Sequence, residues 1–100
     1  MDYVRIKEGD VIRLTPQSDL KTADSREFEE RLLAELAKTG KLTVDMSCVG
    51  YICSSGLRAL LAAQQAVDEK EEGELVFVNI TDEVMSVLRS TGFCNILTII

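Results

Sequence analysis

The sequence predicts an α/β fold: a mixed sheet of four to five strands, helices packed mainly on one face, and an N-terminal hairpin followed by right-handed β-α-β crossovers. Three observations carry that prediction. Gly9-Asp10 forms a turn signal between two short segments with strand character. Beyond it, helix-periodic and strand-like segments alternate to the C-terminus. The chain has 100 residues, 46% of them apolar, which supports one core and not two. It therefore reads as a single domain over residues 1–100. With three Phe, two Tyr and no Trp, that core must be built from Leu, Val, Ile and Ala.

The elements follow in order. Tyr3, Val4 and Ile6 mark a first strand, and Val11-Ile12-Arg13-Leu14 a second. Pro16 closes the second strand because it has no N–H to give a ladder. Asp24 is the expected cap of a first helix, with Glu27 as its capping-box partner. Phe28, Leu32, Leu33 and Leu36 recur at helical spacing, the opposite face alternates in charge, and Gly40 is the expected stop. Leu42, Val44 and Met46 alternate with Thr43 and Asp45 as a third strand. After a loop from Ser47 to Cys53, a second helix starts near Ser54 or Ser55, with Leu57, Leu60, Leu61 and Val67 on its apolar stripe. Leu75-Val76-Phe77-Val78 is nearly continuous apolar sequence, as in a strand covered on both faces. Thr81 or Asp82 caps a third helix with Val84, Val87 and Leu88 inward, and Gly92 stops it. Ile96 to Ile100 is expected as an edge strand or a docked tail.

Charge and composition exclude several functions. The net charge is −6, and no two basic residues are adjacent, so the positive footprint of a nucleic-acid binder is missing. The same balance disfavours an anionic membrane surface. No apolar run reaches the length of a membrane span, and no signal peptide follows Met1, so the expected compartment is the cytoplasm. An acidic surface without a long exposed apolar run predicts a monomer. Cys48, Cys53 and Cys94 are an odd set at irregular spacing, which is neither a disulfide framework nor a zinc pattern. Cys48 and Cys94 read as small apolar residues, buried or half-buried.

Catalytic readings find little support. The chain has no His, and nothing in the sequence makes Asp19 and Asp45 converge. No glycine pattern cradles a phosphate, so no cofactor is expected. Cys53 precedes a helix start, which lowers a thiol's pKa, yet its ordinary reading is a half-buried small residue. The junction Cys53-Ser54-Ser55-Gly56 is more informative. It lies between a strand and a helix, at the end of the sheet where sites form. One of its hydroxyls can cap the helix and leave the other facing solvent. A phosphate there would add about −1.5 to −2 charge beside the positive end of the helix.

The stretch from Leu42 to Leu61 resembles the signature of the STAS domains, the anti-sigma factor antagonist family. Asp45-Met46-Ser47 with Val49 is similar to the end of the family's central strand, and Ser54-Ser55-Gly56-Leu57 to its following helix entry. Asn79 with Thr81, and the Thr91-Gly92-Phe93 ending, resemble its later segments, and Asp19 falls where the family has an Asp after its second strand. The resemblance covers essentially the whole chain. It implies a non-enzymatic switch protein that frees a sigma factor by binding an anti-sigma factor, a serine kinase of the histidine-kinase-like ATPase fold. It also implies phosphorylation at Ser54 that ends this binding, and a serine phosphatase that resets it. By the same resemblance Ser55 becomes the expected helix cap. Asp19, Asp45, Cys53, Gly56, Arg58 and Asn79 become the supporting or partner-binding residues. One departure stands out: Cys53 occupies the position where the family usually has Asp. The alternative reading is a STAS structural or regulatory subunit of a lipid-transport or signalling-scaffold complex that is never phosphorylated.

Overall fold

A computed structural model describes all residues, Met1 to Ile100. Strands β1 (Tyr3–Glu8) and β2 (Val11–Pro16) form an antiparallel hairpin. Gly9 at its tip has φ +62, the left-handed conformation that a two-residue hairpin loop asks of its first position. Helix α1 (Thr22–Lys38) then leads to β3 (Lys41–Asp45), and α2 (Ser54–Asp68) leads to β4 (Glu74–Val78). Both crossovers return in parallel, giving one four-stranded sheet in the order β1-β2-β3-β4. Helix α3 (Asp82–Thr91) and a short 3-10 turn (Phe93–Asn95) follow.

Strand alternation decides which face is dry. Ile12, Leu14, Leu42, Val44, Leu75 and Phe77 align across the register and are all buried. Against them pack Phe28, Leu32 and Leu36 of α1 and Leu57, Ala59, Leu60, Ala63 and Val67 of α2. The other face of the sheet carries Arg13, Thr43 and Asp45, all partly exposed. In β4, Leu75, Val76 and Phe77 are buried in succession, as a strand covered on both sides requires.

The C-terminal segment is a docked tail and not a fifth strand. Phe77 N–H donates to the Thr98 carbonyl at 2.9 Å and its own carbonyl accepts from Ile100 N–H at 3.0 Å, a single bridge.

Several local expectations need correction. Helix α1 starts at Thr22, with Lys21 as an N-cap that offers no side-chain bond, so Asp24 sits inside the first turn and caps nothing. Asp24 still favours the helix by placing negative charge near its positive end. Gly40 does not stop α1: Thr39 does so in extended backbone, and its hydroxyl reaches back to Asp10 O. Leu33 is only half-buried, and its place in the interior is taken by Glu35, which is fully buried. Burial would raise the Glu35 carboxyl, but a bond from Arg5 Nε at 2.6 Å, with Arg5, Arg31 and Lys38 charges nearby, lowers it instead. Cys48, expected to be buried or half-buried, is exposed at the turn after β3.

Candidate functional site

Three connections meet at the C-terminal end of the parallel strands: β2–α1, β3–α2 and β4–α3. The β3–α2 connection, Met46 to Cys53, is tied down along its whole length. At its start, Asp45 Oδ1 accepts from Ser47 N–H at 3.0 Å, while Asp45 Oδ2 receives Arg13 Nη2 at 2.8 Å. Burial alone would raise the Asp45 carboxyl; the bonds from Ser47, Arg13 and the Asn79 side chain outweigh it and hold the pKa at about 2. Asn79 follows β4 in the left-handed region (φ 55), a conformation Asn tolerates better than most residues, and this turns its amide toward Asp45.

In the middle of the loop, Asp19 Oδ1 accepts from Gly50 N–H at 2.8 Å. Thr81 Oγ1 donates to the Val49 carbonyl at 2.9 Å. At its end, Leu20 and Ile52 pair as an isolated parallel bridge, with Leu20 N–H donating to Tyr51 O and Cys53 N–H to Leu20 O, each at 2.9 Å. Asp19 and Asp45, distant in sequence, thus hold the middle and the start of one loop. That loop delivers Cys53 to the start of α2 in extended backbone (φ −85, ψ 173).

The cap of α2 is the Cys53 thiol, not Ser55. Cys53 Sγ accepts from Gly56 N–H at 3.4 Å and lies 3.1 Å from Ser55 Oγ and 3.3 Å from Ser25 Oγ. Ser55 instead donates across to Ser25 Oγ at 2.9 Å, and the Ser25 hydroxyl donates to Lys21 O at 3.0 Å. The two helices are therefore stitched together at their first turns. Burial would push the Cys53 thiol up, but the polar surroundings of the sulfur, the Ser25, Ser55 and Thr22 hydroxyls and the Gly56 N–H, bring it down to about 6. Cys53, standing where the resemblance expects Asp, therefore still offers the helix start an acceptor.

Ser54, the first residue of the helix, is exposed, and its hydroxyl takes no part in this cluster. Gly56 is buried because α2 starts against the loop: a Cβ there would meet Ile52 Cγ1 at 2.8 Å and Leu20 Cβ at 3.4 Å. Arg58 is exposed one turn further on and lines a shallow groove of about 280 Å³ with Thr22, Ser25, Arg26, Glu29 and Ser55. The sequence-predicted residues therefore gather in one region, with Arg58 at its margin. Ser25 and Thr22 were not foreseen. They lie about thirty positions from the junction, and nothing local marks them as its partners. No group of three or more Cys, Asp or Glu side chains converges in a way that would hold a metal ion.

Known proteins can be set beside this geometry. No helix is long and apolar enough to cross a membrane. No curated protein sequence matches the chain. Among solved structures, a candidate anti-sigma factor antagonist from Thermotoga maritima superposes with a TM-score of 0.88 at 23% identity, covering 97% of this chain and 84% of its own. A STAS-domain protein from Planctomyces limnophilus gives 0.86 at 16% identity over 99% of this chain and 89% of its own. The anti-sigma factor antagonist SpoIIAA, unphosphorylated, gives 0.80 at 10% identity over 99% and 88%. SpoIIAA, a Bacillus cell-fate determinant, is also solved phosphorylated. At these identities the likeness is one of fold. The family model described as "STAS domain" matches residues 3–100, and the chain belongs to that family.

Proposed function

We propose that this protein is an anti-sigma factor antagonist that works by partner switching, with Ser54 as its phosphoacceptor. Unphosphorylated, it binds an anti-sigma factor that is also a serine kinase and so frees a sigma factor; phosphorylated, it lets go; a serine phosphatase resets it. The observation that carries this reading is the state of Ser54. Its hydroxyl stands exposed and uncommitted, while the flanking Cys53, Ser55 and Gly56 N–H are all engaged in hydrogen bonds. Family membership and the phosphorylated form of SpoIIAA support the same reading.

The chemistry divides cleanly between the two partners. The γ-phosphoryl of ATP passes to Ser54 Oγ, ADP leaves, and the hydroxyl proton goes to a base. This chain has no His and no carboxylate bonded to Ser54, so the base and the nucleotide belong to the kinase. What the chain supplies is presentation. Asp19, Asp45 and Asn79 fix the loop, Cys53 fixes the helix start, Gly56 lets the helix approach, and Ser55 is occupied elsewhere. A phosphate changes the docking surface by about −1.5 to −2 charge without needing the domain to unfold.

The test is incubation with a candidate kinase and ATP, read by intact mass for wild type, Ser54→Ala and Ser55→Ala. Wild type and Ser55→Ala should gain one phosphate, and Ser54→Ala none. A gain that survives in Ser54→Ala and disappears in Ser55→Ala removes the site assignment. Tight kinase binding with no gain in any variant favours the unphosphorylated structural-subunit reading.

A further inference from the structure

We propose that Arg58, assisted by Arg26 across the α1–α2 groove, is the internal receiver of the phosphate on Ser54 and holds the phosphorylated junction closed against the helix. This rests on Ser54 being the modified residue and says what the protein itself does with the added charge.

Three observations lead here. Ser54 and Arg58 are four residues apart on one helix, so they lie one above the other on one face. The acidic partner would be the N-terminal member of the pair, the more favourable order. Helical side chains lean toward the N-terminus, so the Arg58 stem covers the turn that contains Ser54 and Ser55. Arg58 also lines the groove beside Ser55, the residue that follows Ser54, with Ser25 and Thr22. Finally, Arg58 has no ion-pair partner. Of the groove's charged residues, Arg26 makes a loose pair with Glu30 at 3.4 Å between two exposed side chains, and Glu29 makes none. A guanidinium that is free before phosphorylation forms its charge-assisted bonds only afterwards. Glu29 sets the limit of the groove: a phosphate is drawn to the Arg58 side, away from that carboxylate.

The consequence is a protein that shields its own phosphate. The phosphoryl oxygens bonded to Arg58 are less available to an attacking phosphatase, so the off state is prolonged by this chain and not only by its partners.

The proposal is tested without any kinase by installing phosphoserine at position 54 during synthesis through genetic code expansion. The second phosphate ionisation is followed by phosphorus NMR, alongside the rate of dephosphorylation by a broad-specificity phosphatase. In wild type the ionisation should lie about half a unit below that of the Arg58→Gln variant, as expected for one partly exposed ion pair. Dephosphorylation should be roughly threefold slower than in Arg58→Gln, the same free energy read as a rate. Arg58→Lys should keep most of the shift in ionisation but less of the protection, because it loses the bidentate fork. Arg26→Gln should have a smaller effect than Arg58→Gln. Identical titrations and rates for wild type and Arg58→Gln overturn the proposal, and a larger effect from Arg26 overturns the assignment to Arg58. Failure of a kinase to modify Ser54 would count against the proposed function and leave these measurements intact.

Discussion

Helices α2 and α3 begin at the same end of the sheet, each after a parallel strand, and they begin differently. The start of α3 is closed. Thr81 Oγ1 accepts from Val84 N–H, the same hydroxyl donates to Val49 O, and Asp82 and Glu83 place two negative charges in the first turn. The start of α2 has a cap but no acidic residue in its first turn. Its cap is a sulfur, and its first residue is a serine facing water. One helix has satisfied its positive end with permanent charge. The other leaves room for negative charge that can be added and removed. The phosphoswitch proposed for this chain needs the second kind of helix start, and a stable fold needs the first.

The comparison can be broken most forcefully at Gly56. Gly56→Val forces a branched side chain into space already held by Ile52 and Leu20. Overpacking of this kind costs about 1–3 kcal/mol, and this substitution should lie at the upper end. Urea denaturation would measure it, and a loss well under 1 kcal/mol would mean that α2 is not held tightly against its loop.

A smaller effect separates the two caps. Thr81→Ala loses a cap and a bond to the neighbouring loop, and should cost about 1–2 kcal/mol. Cys53→Ala loses one long bond to Gly56 N–H and its contacts with two hydroxyls, and should cost about 1 kcal/mol or less. Equal losses in denaturation experiments would erase the distinction between a structural start and a functional one.

A further effect lies in pH. The Cys53 thiol is lowered from 9.0 to about 6 in the folded protein, so the unfolded chain binds the proton more tightly across that interval. Stability from the thiolate is present above the unfolded value and is lost as pH falls through about 6. Cys53→Ser should therefore flatten the pH dependence of the denaturation midpoint between those limits. Thr81, which does not titrate there, should contribute none of it. Alkylation rates give the same pKa directly, with exposed Cys48 as the internal control.

Much of the architecture was legible because it depends on near neighbours. Alternating Leu42 and Val44 marked a half-buried strand, Thr81 and Asp82 announced a cap that Thr81 makes, and Gly92, at φ 81, ends α3 as a left-handed glycine does. The misreadings have one cause. Asp24 with Glu27 satisfied a capping pattern, but the chain entered the helix earlier, set by the Leu20–Ile52 bridge just before it. Glu35 looked like part of a charged face, and it became buried because Arg5 comes over it from the hairpin. Ser55 looked like a cap until Ser25 arrived from α1 to take its hydrogen bond.

The sequence by itself determined the order of the elements, the composition of the core and the place of the Cys53-Ser54-Ser55-Gly56 junction, since periodicity and turn chemistry act over a few residues. Only the tertiary structure decided which group in that junction would cap, which would be buried and which would remain free. Those choices hang on Ser25, Asp19 and Leu20, brought about thirty positions along the chain by the crossovers. A hydroxyl's availability is a matter of what competes for it, and the competitors of Ser55, which leave Ser54 uncommitted, come from another helix.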